Sequence, residues 1–317
     1  MDIDSSATAQ SAVAISTPRS GLLWGLLGVT AFSFTVPLTH VAVQHGTMSP
    51  LFVGSARTVI AALLAAITLR ATHQSLPTGR QWTRLAIVAA GGVVGFPLLT
   101  SYAMQTLPAT HGAVVVAILP ATTAVIAVLR AGERPPRMFW AAAAAGAIAA
   151  VLFTLLQGGG FGSLKAGDLL LFAAVIACAI GYAEGGLLSR ELGSWQTICW
   201  AVVLASPVMA TLTGVSIAHH PPTGTAGQWL AFAYLGVVSM FLGYFAWYRG
   251  LAIGPMSRVS QVQLAQPVMS ICWAALILDE KLTWQTVVGG IAVIGCALLA
   301  VRSRSASCRR SRAGNAR

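Results

Sequence analysis

Two stretches of this chain, PATHGAVVVAILPATTAVIAVLRAGER from Pro108 to Arg134 and PMSRVSQVQLAQPVMSICWAALILDEK from Pro255 to Lys281, carry the same landmarks in the same register. Pro108, Pro120, Glu133 and Arg134 of the first recur as Pro255, Pro267, Glu280 and Lys281 of the second, each 147 residues later. A constant offset marks an internal repeat. Between the two prolines of each copy lies an apolar segment, Ala109 to Leu119 and Met256 to Gln266, and a second apolar run leads from the later proline to the acidic-basic pair. Each copy reads as one kinked membrane helix.

The rest of the chain agrees. Of 317 residues 56% are hydrophobic and 9% charged, with a mean hydropathy of +0.76, whereas a soluble domain carries roughly 25% charged residues. Several apolar runs approach the roughly 20 residues that a helix needs to cross the hydrocarbon, and the alternating segments of a β-barrel are not found. The expected fold is an all-α membrane protein of ten transmembrane helices arranged as two inverted five-helix repeats. The expected spans are Gly21 to Val43, Pro50 to Leu69, Leu85 to Leu107, Thr110 to Leu129, Met138 to Leu156, Asp168 to Leu188, Trp195 to Ile217, Trp229 to Leu251, Ser257 to Leu278 and Trp284 to Val301. The seventh is the weakest, since it carries Pro207 and several threonines.

These spans divide the chain into a cytoplasmic N-terminal segment (1–20), a first repeat (21–156), a Gly-rich linker (157–167), a second repeat (168–301) and a basic, disordered cytoplasmic tail (302–317). The N-terminal segment, with Asp2 and Asp4, does not read as a secretory signal. An offset that covers an odd number of spans turns the second copy over in the membrane.

Charge then sets the orientation. With both termini cytoplasmic, every lysine and arginine falls inside except Lys165, Lys281 and the intramembrane Arg57, as the positive-inside rule requires. The net charge of +11 and pI near 10.4 are thus topological and do not indicate nucleic acid. The tail arginines Arg309, Arg310 and Arg312 could also touch anionic lipid, but no specific role is assigned to them. The expected location is a bacterial inner (plasma) membrane.

Other chemistry is not encoded. The five cysteines form no CxxC pair and read as small buried hydrophobes, and the six histidines make no HExxH spacing, so no metal and no cofactor are expected. Gly158-Gly159-Gly160-Phe161-Gly162 lacks the Lys-Ser/Thr of a phosphate loop, and no GxSxG motif occurs. The chain is not expected to be an enzyme.

Ten spans in two halves, each with a proline-kinked helix, a glutamate and a closing helix, resemble the drug/metabolite transporter superfamily, specifically its EamA-domain members. Arg57 in the second span, Ala103-Met104 and Gly250-Leu251 ahead of the repeated prolines, and Gly167-Asp168-Leu169-Leu170 carry the resemblance further, from about Gly21 to Val301. It implies export of amino acids, other metabolites or drugs without specifying which. The second copy departs by closing with Asp279-Glu280 where the first has Gly132-Glu133.

Pro120 and Pro267 each lie ten residues into their spans, about 15 Å deep at 1.5 Å per residue, near the midplane. Each lacks an N–H, freeing the carbonyls of Val116 and Gln263, which a polar cavity between the halves could satisfy. Packing kinks are the alternative. Gln263, Gln266 and Ser270 share one helical stripe, with Val116, Leu119 and Thr123 at the equivalent positions. The stripe reads either as cavity wall or as helix-to-helix glue. Tyr102, Tyr182 and Tyr244 are further cavity candidates, while Trp247 and Tyr248 read as interface anchors.

Two charges remain inside spans, Arg57 and Glu184, about 11 Å apart along the membrane normal. Intramembrane charges are functional candidates by default. Glu184 is the candidate proton carrier, its alternatives being snorkelling or a bond to Arg190. Glu133 and Glu280 are expected to fix span ends. The function expected is secondary active export of a small metabolite by alternating access, coupled to protons. An uncoupled exchanger is the alternative within transport, and a membrane sensor or an embedded enzyme the alternatives outside it. Expected partners are a small-molecule substrate and the lipid bilayer, with no nucleic acid, and a homodimer is left open.

Overall fold

The computed structural model describes residues 18–131, 136–157, 165–253 and 262–314. Among these, every regular element is helical. α1 (Pro18–Ser33) and α2 (Thr35–Val43) precede α3 (Pro50–Ala71), which starts where Ser49 accepts a bond from the Phe52 N–H and Pro50 occupies the first turn. α4 (Arg80–Val88) passes through a π-helical stretch, Ala89–Gly95, into α5 (Phe96–Met104). Then come α6 (Ala109–Val116), α7 (Leu119–Ala131), α8 (Arg137–Gln157), α9 (Ala166–Leu192) and α10 (Ser194–His219). α11 (Ala226–Ala233) opens with a Thr225–Gln228 capping box and continues through a second π stretch, Tyr234–Gly243, into α12 (Tyr244–Ile253). A 3-10 turn, Gln263–Ala265, leads into α13 (Gln266–Leu278), and α14 (Trp284–Gly314) ends the described chain.

Seven of these runs are long and apolar enough to cross a membrane: Ser20–Gly46, Pro50–Ala71, Arg80–Met104, Ala109–Arg130, Ala166–Ser189, Ser194–His219 and Ala226–Gly250. Shorter apolar helices, Arg137–Phe153, Gln263–Leu278 and Trp284–Ala300, lie where the remaining expected spans fall. The outer surface suits lipid. Leu63, Ile67, Leu230, Leu276 and Ile291 are each more than 60% exposed, a burial pattern that water would penalise and hydrocarbon does not.

Prolines punctuate these helices, and neighbouring hydroxyls satisfy several of the carbonyls they release. Pro207 removes the donor for the Val203 carbonyl, which Ser206 Oγ takes at 2.7 Å, so α10 remains continuous through the weakest expected span. Pro97 does the same to Val93, whose carbonyl accepts from Thr58 Oγ1 of α3 at 3.2 Å. Pro37 releases the Ser33 carbonyl, and Ser270 Oγ of α13 bonds it at 2.7 Å. In a medium without water, such bonds across helices are what make a broken helix tolerable.

The 147-residue offset of the sequence recurs in the bounds of two helices. α7 and α13 begin and end 147 residues apart, and the break before α7 recurs as the 3-10 turn before α13. Each expected kinked helix is in fact interrupted and restarted, with Pro120 and Pro267 second in the new helix, where a missing N–H breaks no intrahelical bond. The Gln263 carbonyl is not left to a cavity either, since the Gln266 N–H bonds it within the tight turn.

Three other expectations are corrected. The tail does not leave helical geometry at Arg302, because α14 runs on to Gly314 with no proline to stop it. Trp247 and Tyr248 are 4% and 3% exposed, too buried for interface anchors. The small Gly28 lets α1 press directly on the Trp247 backbone, where a Cβ would lie 2.8 Å from its N. Cys178 and Cys199 are buried as expected but Cys272 is exposed, on the same face as the exposed Val268 and Leu276 four residues to either side. Glu133 and the Gly158–Gly162 linker lie outside the described residues.

Candidate functional site

The repeated prolines meet. Val116, Leu119 and Pro120 from one copy and their equivalents Gln263, Gln266 and Pro267 from the other line a single gap of about 10 Å³, together with Ala113 and Ser270. Leu119 and Gln266 also wall an adjoining cavity of about 30 Å³, lined by Thr35, Arg57, Tyr182, Ser239 and Tyr244 among aromatic and aliphatic side chains. Spaces of this size hold about a water, not a metabolite, so the conformation is closed at its centre. Of the expected stripe, Ser270 is committed to the Ser33 carbonyl, while Gln263 Nε2 is buried with no partner among the described residues. Tyr182 and Tyr244 meet edge to face at 6.1 Å. Tyr102 is 41% exposed and lines neither space.

Arg57 is 2% exposed on α3. Its Nη1 donates to Thr39 Oγ1 at 3.4 Å and its Nη2 to Thr100 Oγ1 at 3.3 Å, and Nε has no partner among the described residues. Both threonine hydroxyls give their own protons to backbone carbonyls, of Thr35 and Phe96 at 2.6 Å each, which turns their lone pairs toward the guanidinium.

Glu184 has a different environment. It is 3% exposed, so it does not snorkel, and its two carboxylate oxygens accept from Arg84 Nε and Arg130 Nε, the latter at 2.9 Å. Arg84 also pairs with Glu191. One carboxylate on α9 therefore ties down α4 and α7 together. Arg84 and Arg130 read in the sequence only as topological charge, and no spacing signal links residues 100 and 54 positions from Glu184.

The other end of the bundle carries a wider hollow of about 270 Å³, lined by residues that include His111, Lys165, Asp168, Glu280 and Lys281. Asp168 accepts from Nε2 of His111 across 2.7 Å and from the Lys165 backbone N–H at 3.0 Å. Glu280 accepts from the backbone N–H groups of Ala109 and Thr110, each at 2.8 Å. It thus caps the positive N-terminus of α6, in the opposite repeat, and not its own helix as the sequence suggested. Asp279, in the left-handed conformation at φ 52°, ends α13 just before this contact.

Comparison with known proteins follows the same lines. A profile described as the EamA-like transporter family matches residues 19–155 and 165–302. The chain is 42% identical, over 89% of its length, to a protein named uncharacterized transporter YdeK of Bacillus subtilis, of which it covers 97%. It is 23% identical, over 77% of its length, to the aromatic amino acid exporter YddG of Ancylobacter novellus, covering 85% of that protein. A solved crystal structure, 19% identical, shares the fold with a TM-score of 0.61, over 91% of this chain and 99% of its own.

Proposed function

This chain belongs to the EamA-like transporter family, and from that membership we propose that it exports a small polar or amphipathic metabolite, by alternating access between two inverted five-span halves of a ten-span bundle. As a transporter with many apolar helices it is a multi-pass membrane protein. Some of its relatives are named for amino-acid export, and the inner membrane of a bacterium is the natural setting. What supports this reading best is the gap at which repeat-equivalent residues face each other, since inverted-repeat carriers bind near the midplane between their halves.

Each end of the bundle is held by polar contacts that can be made and broken. At one end Glu184 gathers Arg84 and Arg130; at the other Glu280 holds the start of α6, and His111 of α6 meets Asp168 of α9. A proton on Glu184 would cancel the charge that attracts both arginines and loosen that end, which is how a proton gradient would drive the cycle. Direct coupling between Arg57 and Glu184 finds no support, since they hold different partners. An uncoupled exchanger is the second reading. It is favoured by the same cluster, because two arginines compete with a proton for one carboxylate.

Purified protein in sealed vesicles should accumulate members of a panel of amino acids and drugs, and Gln266→Ala should change affinity or selectivity severalfold while the protein still folds. One hydrogen bond is worth roughly 0.5–1.5 kcal/mol. Loss of folded protein with unaltered transport would make Gln266 helix glue. For orientation, a reporter active only in the cytoplasm should work when fused after Arg317 or within Gln74 to Arg80, and fail within Gly158 to Gly162. The opposite pattern overturns the orientation with both termini cytoplasmic, and the same side for Gln74 to Arg80, Gly158 to Gly162 and Arg317 removes the inverted arrangement.

A further inference from the structure

Arg57 is a fully desolvated cation whose described neighbours are neutral. The cavity it lines contains no Asp or Glu among the described residues, and the oxygens of Glu184 are taken by Arg84 and Arg130. Its two bonds are long and go to threonines, and Nε has no acceptor among the described residues. A guanidinium is costly to bury without a compensating anion. A second buried donor without a partner among the described residues, Gln263 Nε2, belongs to a residue that lines the adjoining gap across the shared Leu119 and Gln266.

We infer that the substrate brings the counter-charge, and that Arg57 is the dock for a carboxylate on a small molecule with an apolar or aromatic body. The inference rests on reading the central gap as the substrate path. A guanidinium matches the carboxylate fork through Nε and one Nη. One cation in the cavity suits a monoanion better than a phosphate, which carries about −1.5 to −2 at neutral pH. Elsewhere in the wall Phe32, Phe96, Leu119 and Met240 suit an uncharged hydrocarbon body, and the polar groups beside them, such as Thr35, Ser239 and Gln266, are neutral. No acidic side chain in that wall receives an ammonium, so the carboxylate is required and an α-amino group is not. Simple carboxylic acids fit this dock as well as the corresponding amino acids do.

Two matched triplets test this: phenylalanine, hydrocinnamate and phenethylamine, and leucine, isocaproate and isoamylamine. Binding to the full-length protein in lipid nanodiscs is read as thermal stabilisation. The acid and amino acid of at least one triplet should bind and its amine should not. Arg57→Gln should weaken hydrocinnamate or isocaproate roughly 10- to 100-fold, as expected for a charge-assisted bond, and Arg57→Lys should restore part of that. An amine that binds as tightly as its acid, a failure of both acids to bind, or unchanged affinity in Arg57→Gln overturns the dock. If Arg57→Gln does not fold, the wild-type series and Arg57→Lys decide. Labelled acid in vesicles separates the two readings. Binding that needs Arg57 without any passage across the membrane keeps the dock and refutes transport. Passage indifferent to Arg57 keeps transport and refutes the dock.

Discussion

Gly91→Ala is expected to abolish most folded protein. Gly91 lies in the π stretch between α4 and α5, and a Cβ there would sit 2.2 Å from the Ala177 carbonyl oxygen and 3.0 Å from the Gly181 nitrogen, both backbone atoms of α9. Neither helix can yield by rotating a side chain. The contact is reciprocal, since a Cβ on Gly181 would lie 2.7 Å from the Gly92 nitrogen. Overpacking costs typically about 1–3 kcal/mol and more where backbone must move, and here α9 would have to back away from the helix that carries Arg84. Glycine is disfavoured inside helices by roughly 0.5–1 kcal/mol relative to alanine, so its presence here reflects the approach of two backbones, the usual means of close packing between membrane helices. Gly186→Ala is the control, because nothing lies within 4 Å of a Cβ at that site. Size-exclusion profiles and melting curves in detergent would show Gly91→Ala aggregated and Gly186→Ala unchanged or slightly stabilised. A well-folded Gly91→Ala would mean that α4 and α9 are not in this contact.

Glu184→Gln should retain exchange of labelled for unlabelled substrate, at reduced rate, and lose acceleration by an inward proton gradient. The change removes the charge that holds Arg84 and Arg130 while keeping the shape of the side chain. Breaking a buried ion pair costs about 3–5 kcal/mol, but Arg130 is 55% exposed and Arg84 20%, so the arginines can rehydrate. We expect a stability loss nearer 1 kcal/mol, small enough for function to be measured. A variant that still answers fully to the gradient would reduce Glu184 to a structural clasp and place any proton path elsewhere. Wild-type protein that exchanges substrate without answering the gradient, with Glu184→Gln exchanging as before, would support the uncoupled exchanger.

What the sequence determined by itself is what local composition encodes. Apolar length marks the helices that can cross a membrane because the thickness of hydrocarbon is a fixed ruler, and the paired prolines Pro120 and Pro267 mark where two helices are disturbed because a missing N–H acts within one turn, though whether they kink or restart there was left to the structure. Gln263, Gln266, Tyr182 and Tyr244 stood out as polar groups within apolar runs, and the family was legible in the same way. The tertiary structure alone decided how each helix is turned about its axis and which charges meet. Tyr102 faces outward while Trp247 and Tyr248 are buried; Glu184 finds Arg84 and Arg130; Glu280 caps a helix 170 residues away. A helix that is apolar on every side carries no stripe to announce which face packs inward, and inside a membrane its rotation is set by small-residue contacts such as Gly91 on Ala177 and by a few polar bonds. Those partners come together only when distant segments pack.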